Sequence, residues 1–243
     1  MLDFARFTAL SFDCYGTLID WEAGILEALR PALDRRGIDA PDDRLLELFA
    51  AAESGFQRQA WLPYKDVLRR VMEQIARGLG FEPTAEEAGS LADSVGRWEP
   101  FPDTIEALGR LKERYRLAIV SNIDDDLFSR TARRLRVPFD LVTTAEQVHS
   151  YKPAPAHFTR TLERLAVSRD ALLHVAQSLF HDIAPAGALG LATVWVNRRR
   201  GREGPGATPP AEARPDLEVK DLAALVDLIA PGPPGGPAGG GRA

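Results

Sequence analysis

The chain has one cysteine, two methionines and four histidines in 243 residues. A lone Cys14 excludes an intramolecular disulfide framework and suits a reducing, cytoplasmic setting. His149, His157, His174 and His181 show no metal-ligand spacing and read as surface groups or as supports behind a site. There is no basic excess: 30 Lys and Arg against 35 Asp and Glu leave a net charge of −5, which speaks against a nucleic-acid partner or an anionic membrane surface. No uninterrupted apolar stretch approaches the roughly 20 residues of a membrane span. The first residues, with Asp3 and Arg6 among them, lack the apolar core of a signal peptide. What remains is a globular composition, 45% apolar and 27% charged, long enough for one large α/β domain or a core with an inserted module.

The stretch Leu10-Ser11-Phe12-Asp13-Cys14-Tyr15-Gly16-Thr17-Leu18 carries an apolar run into a carboxylate and then into a turn, so Thr8 to Asp13 is expected to be a strand ending at Asp13. Residues 20–97 then show helical spacing only, with stripes at Ile25/Leu29/Leu33, Leu45/Leu46/Phe49 and Val67/Leu68/Val71/Met72/Ile75. A fourth helix opens at the Thr84-Ala85-Glu86-Glu87 cap signal. After Pro100 the pattern alternates. Strands are expected at Leu117–Asn122, Leu141–Thr144, Leu172–Ala176, Ala192–Asn197 and Leu217–Val219, with helices between them and a last helix over Leu222–Ile229. This predicts a Rossmann-like core over 1–19 and 98–230, a helical cap over 20–97, and a disordered Pro/Gly tail over 231–243. In a parallel sheet the strands end at one edge, so Asp13, Ser121, Asn122 and Asp182 are expected to converge there. Cys14, next to Asp13 on extended backbone, points the other way and reads as a small buried hydrophobe.

Asp13-x-Tyr15-Gly16-Thr17-Leu18, then Ser121-Asn122, then Lys152-Pro153, then Asp182 form an ordered set of motifs that resembles the haloacid dehalogenase superfamily over residues 8–229. Within it the pattern is similar to the L-2-haloacid dehalogenase branch. In the phosphatase branches a second Asp, a general acid, stands two residues after the nucleophile; here that residue is Tyr15, whose phenol has an ordinary pKa near 10. The Mg-dependent phosphatases carry a metal-binding Asp where this chain has Gln177. Both features imply a metal-independent enzyme with no cofactor.

The resemblance implies roles. Asp13 would attack C2 of an (S)-2-haloacid, displacing halide and forming an aspartyl ester. Thr17 and Ser121 would hydrogen-bond the nucleophile or the substrate carboxylate. Lys152 would hold Asp13 ionised, and Asp182 would pair with Lys152 and position the hydrolytic water. Tyr15 and Asn122 would shape the substrate and halide pocket. Phe158 falls where the branch has a Tyr, and Arg58 is the nearest candidate for its cap arginine that grips the substrate carboxylate. The partners so implied are a small carboxylate, a halide and a second copy of the chain in a homodimer. Two other readings stay open: a Mg²⁺-dependent phosphatase that tolerates Tyr15 and Gln177, and a binding protein that keeps the fold without catalysis.

Overall fold

Ala9–Phe12 form the first strand (β1), and all four residues are buried, as a central parallel strand covered on both faces requires. Burying Leu10 and Phe12 contributes roughly 1.5–3 kcal/mol each relative to leaving them in water. The computed structural model describes residues 2–202 and 204–229. The tail expected to be disordered over 231–243 lies outside the described residues.

Four helices follow β1: α1 (Trp21–Asp34), α2 (Asp42–Gln57), α3 (Tyr64–Gly78) and α4 (Ala85–Ser94). Their apolar stripes are the buried ones, including Val67, Leu68, Val71, Met72 and Ile75 of α3. Thr84 and Glu87 close a reciprocal capping box at the start of α4. Arg35 and Arg36, just past α1, also bond the Glu87 carboxylate, tying the two helices together.

The chain then enters α5 (Thr104–Lys112), β2 (Arg116–Ser121), α6 (Asp125–Leu135), β3 (Leu141–Thr144), a one-turn α7 (Ala145–Val148), α8 (Ala156–Leu165) and β4 (Leu172–Ala176). A π-helical turn over Leu179–Ile183 runs into α9 (Ala184–Ala188), followed by β5 (Ala192–Val196), β6 (Leu217–Val219) and α10 (Leu222–Ile229). The helix expected between β4 and β5 thus opens in π geometry, and that turn carries Asp182. Such turns commonly sit at functional sites.

The six strands form one parallel sheet in the order β3-β2-β1-β4-β5-β6. The chain leaves β1 toward β2 and β3, then returns to β4 on the other side. Beyond β1 lies the crevice where open α/β sheets bind ligands. The ends of β1, β2 and β4 bring Asp13, Ser121 and the Asp182 turn to that crevice. Among the described residues no helix is long and apolar enough to cross a membrane.

Candidate active site

Just past β1 the backbone turns sharply. Gly16 adopts φ +92°, and its N–H donates to the Ile19 carbonyl at 2.8 Å. A methyl group there would meet Trp21 Nε1 at 2.8 Å and Gln177 Oε1 at 3.2 Å. Gly16→Ala is therefore expected to destabilise the protein by about 1–3 kcal/mol, from left-handed strain and crowding together. Urea unfolding would check it; an unchanged midpoint would show that the turn relaxes freely.

This turn presents Asp13, which is 6% exposed, to Lys152, which is 1% exposed. Lys152 Nζ uses all three of its donors: to Asp13 Oδ1 at 2.9 Å, to Asp182 Oδ1 at 2.6 Å and to the Val120 carbonyl at 2.9 Å. Thr17 Oγ1 donates to Asp13 Oδ2 at 2.8 Å and accepts from the Gln177 N–H at 2.9 Å. Both Asp13 oxygens are thus fixed. Behind Asp182 stands His174, bridging Asp182 Oδ1 at 3.0 Å and Ser11 Oγ at 2.9 Å.

Burial pushes the Asp13 carboxyl up, and the neighbouring ammonium of Lys152 pulls against it without cancelling it. Burial alone would depress Lys152, but Asp13 and Asp182 outweigh it and the ammonium is held protonated. For Asp182 burial raises the carboxyl, yet Lys152 and His174 together bring it down to about 2. Asp182 and Lys152 form a charged pair, with Asp13 as the third and least comfortable member.

Asp13, Tyr15, Ser121, Asn122, Lys152 and Asp182 line one cavity. Thr17 stands directly behind Asp13. Asn122 is committed to the backbone of Lys152: its Oδ1 accepts the N–H at 2.7 Å and its Nδ2 donates to the carbonyl at 3.1 Å. The Tyr15 hydroxyl pairs with Thr131 Oγ1 at 2.9 Å, and its ring stands edge-on to Trp98. Ser121 Oγ, by contrast, is buried with no hydrogen-bond partner among the described residues.

Two expected site residues lie elsewhere. Arg58 is the exposed C-cap of α2 and does not line the cavity. The cavity residue from this helix is Glu53, and a separation of five residues turns a side chain about 140° around a helix axis. Phe158 is 1% exposed and packs edge-on against His174 at 5.0 Å, in the core with Ala118, Val120 and Leu172. Phe158, Thr161 and Leu165 form the buried stripe of α8, so Phe158 belongs to the sheet contact and not to a ligand pocket.

Sequence reasoning missed Glu53, Tyr64, Ser178, His181 and Thr208 in the cavity lining; Trp21, one of the aromatics that could line a cleft under the helices, does so. Burial holds the His181 imidazole down to about 4, so it is neutral at neutral pH. Thr208 arrives on the long loop between β5 and β6, which a salt bridge from Arg199 to Glu22 pins down.

The resemblance includes Mg²⁺-dependent phosphatases, which raises the question of whether these side chains could hold the ion. Mg²⁺ favours anionic oxygens in octahedral array. Here both carboxylates of the crevice floor, Asp13 and Asp182, already share the Lys152 ammonium. Gln177 is spent on structure: its carbonyl accepts from Trp195 Nε1 at 2.8 Å and its side-chain Oε1 from Thr208 Oγ1 at 3.3 Å. Among the described residues no group of three or more His, Cys, Asp or Glu side chains is arranged to hold a metal. These residues do not fit a divalent cation.

Fold and crevice together define a Rossmann-like α/β protein with a buried Asp–Lys–Asp cluster at its switch point. The profile of the haloacid dehalogenase-like hydrolases matches residues 7–190, and the chain belongs to that family. It is 28% identical to an (S)-2-haloacid dehalogenase of Pseudomonas sp. strain YL, covering 90% of this chain and 93% of that protein. It is also 27% identical to a ribulose-1,5-bisphosphate 5-phosphatase of Halopiger xanaduensis, covering 91% of this chain and 99% of that one. Among solved structures it resembles an L-2-haloacid dehalogenase with a TM-score of 0.77 at 25% identity, over 92% of this chain and 99% of that chain.

Proposed function

We propose that this hydrolase is a metal-independent dehalogenase that acts on small (S)-2-haloacids through an ester at Asp13. The observation that carries the reading is the Lys152 bridge, which supplies a fixed cation to a buried nucleophile. Asp13 attacks C2 in line; the C–O bond forms as the C–halogen bond breaks, and the halide leaves with the electron pair. No proton donor is needed at that step, which suits a Tyr15 whose hydroxyl is tied to Thr131. Water then adds at the carboxyl carbon of Asp13, releasing a 2-hydroxyacid of inverted configuration, a proton and the free carboxylate. Asp182, whose Oδ2 has no hydrogen-bond partner among the described residues, orients that water in this reading. The helices over 20–97 act as a cap: Glu53 and Tyr64 bring them to the cavity wall, shielding the ester from bulk water.

The test is halide release from chloro-, bromo- and fluoro-2-acids, beside phosphate release from a panel of phosphate esters, each with and without EDTA. The expected outcome is halide release from the (S)-acids, unchanged by EDTA. Phosphate release lost with EDTA, and no halide, would establish the phosphatase reading instead.

A further inference from the structure

A carboxyl stands on the cavity wall where an anionic substrate needs a donor, and the reaction above leaves it unused. Glu53 lies in α2, is 2% exposed, and shares the cavity with Asp13 and Lys152. Tyr64 donates its hydroxyl to Glu53 Oε1 at 2.5 Å, while Oε2 is buried with no hydrogen-bond partner among the described residues. Because Oε1 is committed as an acceptor, a proton on Glu53 resides on Oε2. A buried hydroxyl-type donor without an acceptor is costly unless a ligand completes it. The alternative state is worse for an anion: an ionised Glu53 would add a third negative charge to a cavity that holds two carboxylates and one ammonium.

We infer that Glu53 is a substrate-binding residue which, in its neutral form, donates from Oε2 to the carboxylate of the substrate. This rests on the proposed haloacid reading and deepens it, since the resemblance calls for an arginine on this wall and Arg58 lies outside the cavity. Tyr64 makes the donor specific by holding the opposite oxygen. Tyr64 is itself held, because its N–H donates to Asp124 Oδ1 at 2.8 Å.

Ionisation agrees with the geometry. Burial pushes the Glu53 carboxyl up to about 7; Asp13 adds to the rise, and Tyr64, Gln57 and Lys152 oppose it. The other groups around it are Tyr15 and Tyr64, raised well above the ordinary phenol, and Tyr151, also raised, all by burial first. Lys152 is raised by its two carboxylates, and Asp13 and Asp124 are raised by burial. Asp182 at about 2 and His181 at about 4 finish titrating well below neutrality.

Binding of propionate, an unreactive carboxylate, by the full-length protein is the test, measured by titration calorimetry at pH 6 and pH 8. With only the protonated form competent, the wild-type dissociation constant should rise about tenfold between those values. Glu53→Gln keeps a donor that cannot ionise, so it should bind about as well as wild type does at pH 6 and show no rise. Glu53→Ala should bind at least about tenfold more weakly than wild type at pH 6. Affinity that is flat in the wild type, no saturable binding by it at pH 6, or a Gln variant as weak as the Ala variant would each overturn the inference. Propionate binding requires no turnover, so the result is separable from the halide assay. Halide release with flat binding removes the role of Glu53 alone, while pH-dependent binding without halide release removes only the proposed reaction.

Discussion

Lys152→Met is expected to cost about 3–5 kcal/mol of stability at pH 8 and to abolish halide release. The stability loss does not come chiefly from a missing attraction. It comes from two buried carboxylates left facing each other with no cation between them. Lys152 is 1% exposed, and each of its three N–H donors has a partner. The sign with pH follows from the shifts. In the wild type, Asp182 is depressed to about 2, so its contribution is fully present above the ordinary carboxylate value and is lost as pH falls toward 2. In the variant both carboxyls lose their cation, and only the Thr17 bond to Asp13 and the His174 bond to Asp182 still work against burial, so their folded-state values rise. A raised carboxyl contributes most when protonated, and that contribution fades as pH climbs. The gap between wild type and variant should therefore be widest at pH 8 and narrow at pH 5, read as urea midpoints at both values. A gap independent of pH would mean that Asp13 and Asp182 are not the groups Lys152 compensates.

How this cluster assembles was legible in part. Asp13 and Ser121 close apolar runs, and a parallel sheet brings such strand ends to one edge whatever their separation in sequence. The distant Lys152 became visible through the motif order, because nothing in the Tyr151-Lys152-Pro153 stretch alone says that its ammonium is buried. Glu53 could have been found. Leu46, Phe49 and Glu53 share one helical face, so a carboxylate sits on the stripe that α2 buries. The family pattern calls for an arginine, and Arg58, five residues on, is exposed. Phe158 was misplaced because spacing from Lys152 says nothing of which face of α8 meets the sheet. Thr208 had no signal at all, since its position depends on how a long loop returns over Glu22 and Gln177. The π-helical turn at Leu179–Ile183 was also silent, as no propensity marks one extra residue in a turn.

Asp13→Asn is expected to leave the fold intact and to reduce halide release on the order of 10⁴–10⁶-fold, as loss of a covalent nucleophile does. Intact folding is a physical expectation here. Burial raises the Asp13 carboxyl, so its ionised form is a stability cost that the neutral amide removes. The Asn oxygen can face Lys152 Nζ, and its NH₂ can donate to Thr17 Oγ1, which keeps both existing contacts with the second one reversed. The melting temperature should accordingly stay within a few degrees of wild type or rise. Turnover in H₂¹⁸O gives the same claim a chemical signature. If water attacks the carboxyl carbon of an Asp13 ester, label enters Asp13 before it enters product, and a single turnover with excess enzyme yields unlabelled 2-hydroxyacid and a labelled peptide spanning Asp13. If water instead attacks C2 directly, with Asp13 only as a base, label appears in the product at the first turnover and never in the peptide. The two routes use the same Asp13–Lys152–Asp182 geometry and would give the same result for Asp13→Asn. The position of the label separates them, so the ester stands or falls on that measurement and not on the loss of activity.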